Sequence, residues 1–147
     1  MYKRQIFLSA MINNSDDSDF VIHTRHLTKD IRGIGFENTK NIIVEGNAGN
    51  DVGWGMSLGR ILVKGSAEEF VGWAMKDGVI EIEAYASSAG EHAIGGKIII
   101  RNGSCLIGED LGSGCEIYTN GDYLPSIKKD TRGKVFHRGV LIFPEAE

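Results

Sequence analysis

The chain has 147 residues, 41% hydrophobic and 24% charged, which is one domain of ordinary globular composition with enough apolar mass for a core. A formal charge of −4 excludes the basic footprint that nucleic-acid binding needs. No apolar run approaches the ~20 residues of a membrane-spanning helix, so neither nucleic acid nor membrane is expected as a partner, and the expected location is cytoplasmic.

Met1–Ile12 alternates loosely and predicts a first strand or a cap. Its basic residues precede an apolar run, but Ser9 interrupts that run and no small-residue cleavage site follows, which argues against a signal peptide. Asn13–Asp19 is a polar loop and Phe20–Thr24 a short β-prone run. Arg25–Arg32 predicts a short helix, with Thr24 as its N-cap, Leu27 and Ile31 one turn apart, and Gly33 and Gly35 ending it. Such a helix would close the open end of a stack of strands.

From Asn41 to Tyr123 the chain repeats itself. Copies begin at Asn41, Arg60, Val79 and Lys97, with a partial fifth at Cys115, in steps of about 19, 19, 18 and 18 residues. A fixed short period is the mark of a stacked solenoid. One apolar column reads Ile42, Ile61, Ile80 and Ile98 and is broken by Glu116; a second, two residues on, reads Val44, Val63, Ile82, Ile100 and Tyr118. Apolar residues two apart mark the inward face of a strand. The next column, Glu45, Lys64, Glu83 and Arg101, alternates in sign, so correctly stacked neighbours attract. A further alternation, Val52/Met56, Val71/Met75, Ala89/Ala93 and Ile107/Leu111, predicts a second inward face in each coil. Glycine columns mark the corners. The reading is all-β: a parallel β-helix of about 18–19-residue coils over 41–123, with a strand or helix cap at 1–40 and a C-terminal cap at 124–147 that contains the run VLIF.

Several motifs carry possible chemistry. Gly55–Gly59 matches G-x-S-x-G, in which Ser57 would be a nucleophile with His92 or His137 downstream; the same residues are also one phase of the repeat, where Lys76, Ile94 and Gly112 replace Ser57. Gly53-Trp54-Gly55 looks like a nucleotide loop but lacks a βαβ setting. His23 and His26 stand near Asp16, Asp17 and Asp19, a conceivable metal site against the commoner case of surface histidines. Cys105 and Cys115 have neither C-x-x-C nor metal-ligand spacing, and two reduced thiols are expected rather than a disulfide. In register, Glu91 stacks on Glu109 and His92 on Asp110, an acid–base cluster or a solvated polar edge. Trp54 and Trp73 share a column that continues as Glu91 and Glu109; they form either an exposed interface patch or an aromatic stack under a folded-back terminus.

Gly46, Gly49 and Gly53 in GNAGNDVG, followed by Gly59, carry a resemblance. Over about Thr24–Tyr123 the chain resembles the GXGXG domain at the C-terminus of the glutamate synthase large subunit, and it is similar to the GXGXG-bearing subunit of formylmethanofuran dehydrogenase. The second copy departs from the motif, with Glu68 at the middle glycine. The resemblance implies a single-stranded right-handed parallel β-helix with a structural role, chemistry being carried by other domains or subunits. Two cysteines cannot supply an iron–sulfur ligand set. The expectation is a non-catalytic scaffold with no cofactor and no metal. Its partners would be other subunits of an oxidoreductase complex or a second copy of itself. The alternative is a stand-alone hydrolase at Ser57 or a metal-dependent enzyme at the histidines.

Overall fold

Ile42, Ile61, Ile80 and Ile98 stand one above another because each belongs to a strand paired in parallel with the strand one coil away. The computed structural model describes residues 2–103 and 105–144 and forms a β-solenoid of about six turns. After a helix, α1 (Tyr2–Asn13), come β1 (Asp19–His23), β2 (Asn41–Glu45), β3 (Arg60–Val63), β4 (Val79–Ile82), β5 (Ser88–Ala89), β6 (Gly95–Ile100), β7 (Leu106–Ile107), β8 (Gly114–Thr119), β9 (Ser126–Ile127), β10 (Lys134–His137) and β11 (Val140–Phe143). Eight of these strands form one sheet in the order β1-β2-β3-β4-β6-β8-β10-β11, and β5-β7-β9 form a smaller second sheet. All neighbours in the large sheet are parallel except β10–β11, so VLIF folds back antiparallel and ends the stack.

The tube is filled by the expected columns. Ile42, Ile61, Ile80 and Ile98 face inward beside Val44, Val63, Ile82 and Ile100, all at most 1% exposed. Burying each such side chain contributes roughly 1.5–3 kcal/mol. The second inward face, Val52/Met56 through Ile107/Leu111, is equally dry. There the backbone is irregular in the early coils and settles into the second sheet only from Ser88 onward, apart from a bridge between Val71 and Ala89.

Three expectations need correction. The helix lies at Tyr2–Asn13, not at Arg25–Arg32. Segment 24–40 is instead the remainder of a first coil whose strand is β1, and its backbone bonds sideways to the next coil: Gly49 N–H to the Ile31 carbonyl, Gly33 N–H to Asn50 and Glu37 N–H to Trp54. Donors and acceptors spent on a neighbouring coil cannot also close helical turns. α1 covers that coil, burying Ile12, while the Ser9 hydroxyl donates to the Gly33 carbonyl and accepts from the Phe36 N–H.

The second correction concerns register. Lys97 pairs with Glu116, not Cys115, so Cys115, Ile117 and Thr119 point inward and the isoleucine column is unbroken through Ile117. Tyr118 points outward. A shift of one residue exchanges the two faces of a strand, and the stack runs one coil further than the repeat, to Val135 on β10.

The third concerns charge. Lys64 pairs with Glu45 at 2.8 Å as the alternation requires, but Arg101 turns to Glu81 rather than Glu83. Glu81, at the middle of the outer face of the large sheet, is also held by Arg60 and is only 4% exposed. Burial by itself would raise its pKa, but hydrogen bonds from Arg101 and Arg60 outweigh burial and hold the carboxyl below the ordinary carboxylate range. Its contribution is therefore present above its unfolded pKa and is lost as pH falls through the lower, folded one. Glu81→Leu should remove that part of the acid sensitivity in urea melts taken across the acidic range. Stability at neutral pH should change by only about 1 kcal/mol, because an apolar residue replaces a carboxylate that is costly to desolvate.

Candidate functional site

Outward residues of the large sheet form a second ladder that the core does not use. Val21, Ile43, Leu62, Ile99, Tyr118 and Phe136 occupy the same outer column, and none is fully buried. Glu81 with Arg60 and Arg101 divides the stripe into two shallow grooves. One is ≈ 490 Å³, floored by Val21, Ile43 and Leu62; the other is ≈ 320 Å³, beside Ile99 and Tyr118. The Tyr118 ring stacks on Phe136 at 4.6 Å, with the Lys97 ammonium 5.0 Å from its centre. Sequence reasoning missed this stripe because Glu81 breaks its run and the register slip assigned Tyr118 to the core.

At a corner of the coil a different column reads Phe36, Trp54, Trp73, Glu91 and Glu109. Each carbonyl of the last four accepts the N–H of the residue following the column in the coil before: Glu37 to Trp54 at 2.7 Å, Gly55 to Trp73 at 2.8 Å, Ala74 to Glu91 at 2.9 Å and His92 to Glu109 at 2.8 Å. Those following residues, with Asp110, share a left-handed backbone with φ of 50, 66, 51, 53 and 56°. The repeated corner therefore places successive side chains over one another. Trp54 and Trp73 stack at 4.8 Å and 20°, and Phe36 meets Trp54 edge-on at 5.0 Å. Phe36 escaped the sequence reading because the first coil is longer than the others. The N-terminal segment folds back on the foot of the ladder, where Asn13 and Ser9 bond the Phe36 backbone.

Beyond Trp73 the aromatic ladder gives way to carboxylates and a cleft of ≈ 290 Å³, lined by Phe70, Trp73, Glu91, His92, Glu109 and Lys128. Glu91 is 9% exposed and its side chain folds across Gly108, where a Cβ would fall under 3.0 Å from Cγ and Cδ. Burial pushes its pKa up and Glu69 adds to the rise; its own backbone N–H, the Ser88 hydroxyl and His92 pull the other way. Oε2 is buried with no hydrogen-bond partner among the described residues. His92 Nδ1 lies 3.7 Å from Asp110, which Arg132 also holds at 3.0 Å, and Lys128 lies 3.5 Å from Glu109. The structure thus brings Trp73, Glu91, His92 and Glu109 to one cleft, with Asp110 at its edge.

The other sequence candidates lie apart from it. Ser57 donates its N–H to the Asn38 carbonyl at 3.1 Å and is followed by β3, so the strand–turn–helix that aims a nucleophilic serine is not formed there. His23 and His26 are exposed, and among the described residues no three His, Cys, Asp or Glu side chains gather as a metal ion would need. Cys105 and Cys115 are free and buried, each thiol pushed up to about 12, chiefly by burial. Among the described residues no helix is long and apolar enough to cross a membrane. No family model, curated protein or solved structure matches this chain.

Proposed function

We propose that this chain is a non-catalytic docking scaffold, a rigid solenoid that holds partner domains against the outer face of its large sheet. The observation that carries this reading is the Val21–Phe136 stripe, an apolar column running from β1 to β10 on the outer face of the sheet and interrupted once, by Glu81. Apolar side chains gathered part-exposed on one face in this way mark interaction sites. The Arg60–Glu81–Arg101 cluster at its centre supplies the polar groups that fix register in an interface. The exposed edge of the Trp54–Trp73 stack adds a second contact patch. Resemblance to the glutamate synthase GXGXG domain supports the same reading and suggests the partner: a catalytic domain or subunit of a glutamate-synthase-like oxidoreductase.

Leu62→Glu combined with Ile99→Glu tests the stripe, because both side chains are already part-exposed and the tube should survive. The double variant should keep the wild-type melting temperature within a few degrees and lose its stoichiometric partner, or its self-association by light scattering. Ser57→Ala should alter neither partner binding nor any hydrolysis of an activated ester. A more than tenfold loss of such hydrolysis at equal folding would replace the scaffold with the hydrolase.

A further inference from the structure

Trp54 covers one face of Trp73, and the coil on the other side carries Glu91 where a further ring would continue the stack. The stacked column ends at Trp73, against which Phe70 leans obliquely at 5.9 Å, and the two rings wall the ≈ 290 Å³ cleft, a size suited to a single small group. We propose that this cleft binds an organic cation, an alkylammonium or guanidinium group held against the Trp73 and Phe70 rings, which lean together at 5.9 Å and 41°, with its N–H donors on the Glu91 carboxylate.

Ring and carboxylate make complementary demands. The face of an indole attracts a cation, most strongly where water is excluded. Glu91 Oε2 is a buried acceptor with nothing to accept, and such an atom is costly until a donor reaches it. Gly108 has no side chain to displace the Glu91 carboxyl from that position. The charge balance selects the sign of the ligand. Lys128 is matched by Glu109, and Arg132 by Asp110. Among the described residues no Lys or Arg side chain pairs with Glu91 or the neighbouring Glu69, His92 being the basic group that acts on Glu91, and the Cys105 thiol nearby is neutral. A neutral ring could stack on Trp73 but would bring no charge to the two carboxylates, and an anion would be repelled by them.

Titration of tryptophan fluorescence with L-arginine amide, against neutral L-citrulline amide, tests the assignment. Arginine amide should give a saturable change that citrulline amide does not, and Trp73→Leu should abolish it. Glu91→Gln should weaken binding by about tenfold or more, the loss of one charge-assisted contact. The same variant should melt no lower than wild type at neutral pH, since it removes a buried carboxyl whose ionisation the fold disfavours; lost binding then cannot be ascribed to lost folding. Affinity should fall as pH drops through the raised Glu91 range. The other titrating or charged groups facing Glu91 are Glu69, His92, Glu109, Lys128 and Cys105, and Glu109→Gln should leave that pH dependence in place. Equal affinity for arginine amide and a Gly-Arg-Gly peptide identifies a free cation as the natural ligand. Much tighter peptide binding identifies a side chain of a partner protein. Saturable binding of citrulline amide as tight as that of arginine amide, undiminished affinity in Glu91→Gln, or no saturable response to arginine amide would overturn the proposal.

Discussion

Gly59→Ala should cost about 3 kcal/mol or more. Gly59 has φ +79°, and a Cβ there would fall well under 3.0 Å from the Lys40 carbonyl oxygen of the adjacent coil. Two penalties coincide: a left-handed backbone that costs an L-residue about 1–2 kcal/mol, and overpacking against backbone that costs about 1–3 kcal/mol. Two other glycines separate them. Gly139 has φ +80° with nothing within 4 Å of the added atom, so Gly139→Ala should cost only about 1 kcal/mol. Gly95 lacks a positive φ, but its added Cβ would meet the Lys76 carbonyl, so Gly95→Ala isolates the contact at about 1–3 kcal/mol. Chemical denaturation of the three variants should rank Gly59 above Gly95 and Gly139. Equal costs at all three would mean that coil-to-coil approach does not constrain the corners.

Ile117→Ala should cost about 3–4 kcal/mol, whereas Tyr118→Ala should cost about half that or less. Ile117 is fully buried beneath Ile98, and Tyr118 stands outside, stacked on Phe136. If the fifth copy instead began at Cys115, Tyr118 would fill the tube and the ranking would reverse. For a domain of this size each kcal/mol shifts the melting temperature by roughly 2–4 °C, so thermal melts resolve the two outcomes.

These two residues also show what the sequence could and could not disclose. Asn41 to Lys97 was legible because each coil repeats the same demand: isoleucine or valine two apart, then a turn. The demand is relaxed in the fifth coil, where the inward residues are Cys115, Ile117 and Thr119. Thr119 reads as polar, yet it is buried because its hydroxyl lies 3.0 Å from His137 Nδ1. Tyr118 and Glu116 then offered a false alternation. In the first coil, β1 and β2 are 22 residues apart by register, Asp19 against Asn41, so the period was lost and the segment read as a helix. Trp54 and Trp73 were visible as a column, as were Glu91, His92, Glu109 and Asp110. Their meeting at a cleft was not, because Phe70, Leu106 and Lys128 reach it from other positions along the coil. The outer stripe was hidden by one carboxylate, Glu81, whose two arginine partners come from coils on either side.

A photo-reactive benzoylphenylalanine placed at Ile99, compared with the same group at exposed Lys76, tests the docking-scaffold reading most directly. Ile99 lies on the outer stripe and Lys76 on the exposed segment between the Trp73 corner and β4. Irradiation in an extract of the source cells should yield one discrete adduct from Ile99, lost when Leu62→Glu is added, and none from Lys76. Identical adducts from both positions, or no adduct from Ile99, would contradict a solenoid that works by holding a partner on its outer sheet.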